Sequence, residues 1–450
     1  MPDTTPAATV AELDRYIVGQ DRAKRALALA LRERERRRKL EEPMRSEIGP
    51  KNILLIGPTG VGKTAIVRRL ARMVDAPFIK VEATRFTEVG YVGHDVESII
   101  RDLADASVNL VHAERTAQVQ EAADRAVDER LVAYLLKTQP DQGEVGEVQP
   151  SARTRTRRKR AAVARALRNR ELEERVIEIE LENEEGFSNV LEFVSGMGSG
   201  EVAEQFQELM QTLSASRQRT RKLPVREARR VLAQEEANKL IDFDQVVDDA
   251  IERVEESGVV FIDEMDKLVS RGGDSGPDIS GEGVQRDLLP IVEGAHVATR
   301  YGTVKTDHIL FVGAGAFTRS RPADLLPELQ GRFPLRVEFA GLDEEDFARI
   351  LTEPENALVR QYSALLETEG VKLEFTEDGI RAVARTARRL NEETENLGAR
   401  RLFGVMEKVL EDVSFEASER RGETVSVDAA YVESRMRGVG GSSDRSRFIL

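Results

Sequence analysis

Ile53-Leu54-Leu55-Ile56-Gly57-Pro58-Thr59-Gly60-Val61-Gly62-Lys63-Thr64 is the stretch that decides the fold. Its first four residues are apolar without alternation, which predicts a short strand buried on both faces, and the apolar pattern that resumes at Ala65 predicts a helix. Between them Gly57 to Thr64 has the phosphate-loop spacing. Glycines let successive backbone N–H groups curl around phosphates, the following helix start adds positive potential, Lys63 reaches the β/γ-phosphates, and the Thr64 hydroxyl is a ligand for Mg²⁺. An ordinary glycine turn shares the composition, but not the full pattern between a strand and a helix.

Outward from this unit, Phe78 to Val81, Val259 to Ile262, Ile309 to Val312 and Leu335 to Phe339 are further strands apolar enough for the interior of a parallel sheet. An α/β layered architecture follows. Val10 to Leu40 carries helical spacing and ends in the charged run Arg32 to Lys39, which predicts one helix with a solvated face. From about Leu110 to Ile241 strand signals are weak, at Val176 to Leu181 and Val190 to Val194, and Ala, Glu, Arg and Gln dominate, so this part reads as an insertion. Polar breaks at Gln139 to Ser151 and Ser195 to Gly200 predict mobile pieces within it. After Gly341 helical spacing returns, with Thr376 and Asp378 marking a helix start. The divisions are thus residues 1–109 and 243–340 for a large domain, 110–242 for the insertion, and 341–450 for a small C-terminal domain with a tail.

The chain has 450 residues, 40% hydrophobic and 33% charged, enough for two or three ordinary cores. Zero cysteines exclude thiolate metal clusters and a cysteine nucleophile, and four histidines leave little for a zinc site. A net charge of −14 argues against a general nucleic-acid coat. The basic run at Arg153, Arg155, Arg157, Arg158, Lys159 and Arg160 has no interleaved aromatics and is followed by Glu171, Glu173 and Glu174, so a solvated helix fits it better than a nucleic-acid contact. Met1 to Val10 lacks a signal-peptide pattern, and no stretch approaches the roughly 20 apolar residues that span a bilayer. The expectation is a soluble, cytoplasmic protein without membrane or nucleic-acid partners.

Four more constellations carry chemistry. Val259-Val260-Phe261-Ile262-Asp263-Glu264 delivers two carboxylates at a strand end: Asp263 suits Mg²⁺ through water, and Glu264 suits orientation or deprotonation of an attacking water. Two acids beside a triphosphate would repel it unless a cation were also bound. Arg332 follows Gly331 just before a strand, and Arg400 begins a helix; spacing alone does not separate either from a surface ion pair. Gly90-Tyr91-Val92-Gly93 is either a tight turn over a packed tyrosine or a loop offering an apolar, sequence-indifferent grip. Finally Gly438 to Arg445 is a polar tether to an apolar tip, Phe448-Ile449-Leu450.

Taken together, the phosphate loop, the Val259 to Glu264 strand, Gly331-Arg332 and Gly398-Ala399-Arg400-Arg401 resemble AAA+ ATPases. Tyr16-Ile17-Val18-Gly19-Gln20, the span Pro77 to Ile100, Gly283 to Pro290 and Ser446 to Leu450 narrow the resemblance to the HslU (ClpY) family, over about Val10 to Leu450. The resemblance implies an AAA+ P-loop NTPase fold with a parallel-sheet large domain, a mainly helical inserted domain and a small C-terminal helical α+β domain. It implies ATP and Mg²⁺ as cofactors, a homo-hexameric ring, and unfolding of protein substrates that are threaded into an HslV-type threonine peptidase. By position, Ile17 and Val18 contact adenine; Gly57, Pro58, Thr59, Gly60, Val61, Gly62, Lys63 and Thr64 bind phosphates and metal; Asp263 and Glu264 serve metal and water. Arg332 becomes the finger reaching a neighbour's nucleotide, Arg400 a nucleotide sensor, Gly90 to Gly93 the substrate pore, and Phe448, Ile449 and Leu450 the partner-docking tip. One position departs: Ala314 replaces the polar residue usual near the end of its strand and cannot position water. A ClpX-type unfoldase would need cysteines for its zinc domain and an Ile-Gly-Phe docking loop, and a DNA motor would need a basic pore loop; the sequence has none of these features.

Overall fold

The computed structural model describes residues 5–86, 95–137, 151–181, 219–269 and 279–437. Gly90 to Gly93, the tail from Gly438, Val190 to Val194, Ser195 to Gly200 and residues 139–150 lie outside the described residues. In chain order the strands are β1 (Ile53–Ile56), β2 (Phe78–Glu82), β3 (Val176–Leu181), β4 (Arg219–Pro224), β5 (Val259–Asp263), β6 (His296–Thr299), β7 (Gly302–Lys305), β8 (Leu310–Gly315), β9 (Leu335–Glu338), β10 (Lys372–Phe375) and β11 (Thr424–Val427).

The chain divides into two compact units, Met1–Leu110 with Val247–Leu450, and Val111–Val246. The first unit is built on a five-stranded parallel sheet in the order β2-β5-β8-β1-β9. Leu54, Val260, Ile262 and Phe311 turn to one face and pack with Ile99, Leu103, Val284 and Leu288. Their neighbours Ile53, Leu55, Val259, Phe261, Leu310 and Val312 turn to the other and pack with Leu27, Ile66, Val67 and Leu70. Two covered faces explain why these strands read as unbroken apolar runs. Ala314 is fully buried in the second of these cores with Leu55 and Val312, so its methyl packs rather than facing the phosphate edge.

Val10 to Leu40 is not one helix. Two form, Pro6–Asp14 and Asp21–Arg38, separated by a turn in which Gly19 and Gln20 take φ of 62° and 58°. Apolar spacing runs through the turn because Leu13 and Leu27 enter the same core, which hides the break from a periodicity reading. The charged run is not wholly solvated either. Arg34 is buried and donates to the carbonyls of Glu256 (3.2 Å), Ser257 (3.3 Å), Gly258 (3.2 Å) and His308 (2.8 Å), and burial pushes its pKa down to about 9. Arg37, also buried, pairs with Glu256 at 2.5 Å. Carbonyl acceptors far away in sequence make these burials affordable.

The segment after Gly341 has its own core, in which Phe347, Leu366, Val383, Leu402, Met406 and Val432 meet. Thr376 caps the helix Glu377–Glu393 through its side chain, as its sequence position predicts. The parallel pair β10–β11 was not located by the helical spacing, nor was the β6–β7 hairpin; strands of four residues leave too short an alternation to register.

In the second unit, Val127, Leu131 and Leu135 of the long helix Ser98–Lys137 pack on Ile177, Ile179, Ala228 and Leu232. The strand expected at Val176 to Leu181 is present and pairs antiparallel with β4, a partner its sequence does not announce. Ser151–Arg168 is a helix on which Arg157, Arg158, Lys159 and Arg160 are exposed.

Candidate nucleotide site

The loop leaving β1 is held from three sides. The Gly57 N–H donates to the Gly315 carbonyl at the end of β8 (3.1 Å). A Cβ on Gly57 would lie 2.8 Å from Phe339 just beyond β9, at φ 151°. The third contact comes from the C-terminal part: the Ala399 N–H donates to the Gly60 carbonyl (3.0 Å), and a Cβ on Gly60 would fall 2.0 Å from the Leu397 carbonyl oxygen. Gly60 also has φ 74°. Gly60→Ala should therefore weaken ADP binding about tenfold or more, since strain and backbone overlap act together; equilibrium titration with ADP checks it, with Gly331→Ala as the control because nothing lies within 4 Å of that position.

Lys63 opens the helix Lys63–Met73, is buried, and donates to the carbonyls of Gly57 (2.6 Å) and Pro58 (2.8 Å). Burial pushes its pKa down, the carboxylates of Asp263 and Asp266 pull it up, and Arg400 pushes it down. Asp263 at the end of β5, Asp266 just beyond it and the first residue of the helix Arg400–Phe415 thus act on the loop's lysine. Thr64 follows Lys63 in the same first helical turn. The Thr64 hydroxyl and Asp263 carboxylate are the few hard oxygen donors with which Mg²⁺ is usually held, the rest of its shell being water and phosphate.

Asp263 ends β5 and pairs with Lys80 of the adjacent β2 (3.0 Å). Glu264 comes next with φ 58°, a left-handed backbone uncommon for a non-glycine residue, and its Oε2 accepts from the Thr84 hydroxyl (3.2 Å). Asp266 stands against the end of β8: its Oδ1 accepts from the Ala316 N–H at 3.2 Å, and Gly315 makes room, since a Cβ there would lie 2.9 Å from that oxygen. Lys80, Thr84 and Asp266 were not singled out from sequence. Asp266 had a signal, three residues beyond Asp263 on a strand-end turn; the other two become visible only when β2 pairs with β5.

Ile17 lies against the loop, its Cγ2 3.9 Å from where a Gly62 Cβ would be, and Val18 is buried. Buried Lys24 donates to the Ile17 carbonyl and to Asp14 Oδ1, both at 2.6 Å, and fixes the turn. Arg332 is not brought to this cluster. It ends the short helix Pro327–Arg332 ahead of β9, and its guanidinium pairs with Glu293 (2.9 Å).

A phosphate loop after β1, two acids at the end of β5, one strand removed from it across β8, and an arginine from a C-terminal helical segment define an AAA-type P-loop ATPase. Residues 53–145 match the family described as ATPase family associated with various cellular activities (AAA), and residues 187–336 match the AAA domain (Cdc48 subfamily). Curated relatives carrying the name "ATP-dependent protease ATPase subunit HslU" include those of Persephonella marina (52% identical, covering 100% of this chain and 99% of the relative), Desulfitobacterium hafniense (52%, 100% of each) and Thermotoga maritima (51%, 100% and 99%). The chain belongs to the HslU family of protease-associated ATPase subunits. Among the described residues no helix is long and apolar enough to cross a membrane.

Proposed function

We propose that this chain is a cytoplasmic ATP-driven unfoldase that assembles as a homo-hexameric ring, threads protein substrates into an HslV-type threonine peptidase and activates that peptidase. The observation that carries the reading is the joining of loop and C-terminal segment by the hydrogen bond from the Ala399 N–H to the Gly60 carbonyl, next to Arg400 at the start of the helix Arg400–Phe415. A nucleotide held there touches both parts of the chain, so its hydrolysis changes how they are held together.

In the chemical step, water attacks the γ-phosphorus as Glu264 accepts its proton, the bond to the β–γ bridging oxygen breaks, and ADP leaves with that electron pair. Lys63 and the loop N–H groups hold the phosphates; Thr64 and Asp263 would hold Mg²⁺, which supplies charge neutralisation when bound. Lys80, paired to Asp263, orients that carboxylate, and Thr84 holds Glu264. Arg400 serves as the nucleotide sensor of the C-terminal part and Ile17 with Val18 as the base contact. The division into large (1–109, 243–340), inserted (110–242) and small (341–450) domains belongs to the same proposal.

In this reading the Tyr91 ring grips varied side chains by apolar contact. Tyr91→Ala should keep ATPase activity and lose degradation of folded proteins; unchanged degradation returns Tyr91 to a packing role. Phe448, Ile449 and Leu450 suit an apolar pocket on the peptidase, with several copies per assembly adding avidity. The reading itself is tested by mixing the chain with an HslV-type peptidase and following cleavage of a short fluorogenic peptide. Stimulation should require ATP and should vanish on deletion of residues 446–450 with nucleotide binding intact; full stimulation by the truncated chain removes the tip from the docking role.

A further inference from the structure

The turn that carries Ile17 and Val18 is bound on its outer side by a single carboxylate from the C-terminal part. Glu355 lies in the connection between the helices Glu344–Thr352 and Leu358–Thr368. Its Oε2 accepts from the Tyr16 hydroxyl (2.6 Å), its Oε1 accepts from Arg15 Nε (2.9 Å) and from the same guanidinium's terminal nitrogen, and its N–H donates to the Arg15 carbonyl (2.9 Å). Both side-chain oxygens and the backbone of one residue are thus committed to Arg15 and Tyr16.

Tyr16 is held from its other side as well. The guanidinium of Arg69, on the phosphate-loop helix, stacks 3.1 Å from the centre of its ring. Such stacking is favourable and directional. Four residues beyond Tyr16 the turn is pinned again: the Gln20 amide donates to the Ala340 carbonyl (3.0 Å) and accepts from the Ala340 N–H (3.2 Å), at the point where the chain passes from β9 into the C-terminal part. The turn is therefore suspended between the phosphate-loop helix, through Tyr16 and Arg69, and the C-terminal part, through Glu355 and Ala340.

We infer that Glu355 is a nucleotide-positioning residue: by fixing Arg15 and Tyr16 it sets the placement of Ile17 and Val18 against the base and passes occupancy of the base side to the C-terminal part. The inference rests on the reading of Ile17 and Val18 as the base contact. Glu355 touches no phosphate-side group described above, so its influence falls on binding of the base and not on hydrolysis. Charge and hydrogen bonding separate in the variants. Glu355→Gln keeps an acceptor for the tyrosine hydroxyl and loses the ion pair; Tyr16→Phe keeps the ring over Arg69 and loses the hydroxyl.

The test uses the full chain and two probes, ADP and pyrophosphate, titrated against the parent, Glu355→Ala, Glu355→Gln, Tyr16→Phe and the Tyr16→Phe/Glu355→Ala double variant. Glu355→Ala should weaken ADP about three- to tenfold, as expected for loss of charge-assisted hydrogen bonds at a half-exposed site, and leave pyrophosphate unchanged. Tyr16→Phe should weaken ADP by a smaller factor, Glu355→Gln by an intermediate one, and the double variant should be no worse than Glu355→Ala, because both changes break one contact. In steady state KM for ATP should rise with kcat within about twofold of the parent. ADP affinity unchanged in Glu355→Ala, equal weakening of ADP and pyrophosphate, or additive losses in the double variant each overturns the inference. Ile17→Asp separates the two levels: if it leaves ADP affinity at the parent value, the base-contact reading falls and the inference with it, whereas weakening by Ile17→Asp without weakening by Glu355→Ala overturns the inference alone.

Discussion

Arg332→Ala is expected to lower ATP turnover by about 10³-fold or more while leaving ADP affinity near that of the parent, the loss associated with removing an arginine finger. The topology supplies the reason. Leu335, three residues after Arg332, sits beside Ile53 at the amino end of β1, whereas the phosphate loop leaves β1 after Ile56. At about 3.3 Å per residue the two ends of such a strand are roughly 10 Å apart. Arg332 therefore starts about one strand length from the end at which its own loop begins, and we propose that it meets a nucleotide on another copy. Its pairing with Glu293 is half-exposed, a class of contact worth about 0–1 kcal/mol, and is readily exchanged for a phosphate. Mixed assemblies of Arg332→Ala with Lys63→Ala chains should regain part of the activity, since some interfaces then combine an intact loop with an intact arginine. Absence of recovery in verified mixed assemblies contradicts action in trans.

Glu264→Gln should keep ATP binding and reduce turnover by about 10²- to 10⁴-fold, the range associated with a general base. The amide preserves shape and can still accept from Thr84, so the turn at φ 58° and the Asp263–Lys80 pair next to it stay in place. Only the capacity to take a proton is lost. Single-turnover measurement with pre-bound ATP separates this from a binding defect; hydrolysis at the parent rate would remove Glu264 from the catalytic role and direct attention to Asp266, which with Asp263 acts on Lys63.

What could be read in advance follows a physical division. The central strands were legible because both faces are covered, and the loop was legible because the phosphate-loop pattern is carried by consecutive residues. The turn at Arg15–Gln20 was not, because Leu13 before it and Leu27 after it enter one core and preserve the helical spacing. Buried charge was equally hidden: Arg34, Arg37 and Lys24 look like solvated residues until the acceptors at Glu256 to Gly258, His308, Ile17 and Asp14 are seen. The site's supporting residues share that property. Thr84 meets Glu264 across 180 residues and Tyr16 meets Glu355 across 339, distances at which only the folded sheet and its attached C-terminal part decide who is adjacent. Ala314 shows the converse. Its departure from a family pattern was plain in sequence, but its side chain proves to belong to the core, and the polar group at that strand end is Asp266.

The measurement that tests the central claim most directly is degradation of a stably folded protein by the chain together with an HslV-type peptidase, followed by loss of the substrate's native fluorescence. The account predicts loss that needs both proteins and hydrolysable ATP and that stops with Glu264→Gln. Equal degradation of the folded protein with a non-hydrolysable ATP analogue, or no degradation by an assembly that hydrolyses ATP and stimulates the peptidase on short peptides, would contradict it.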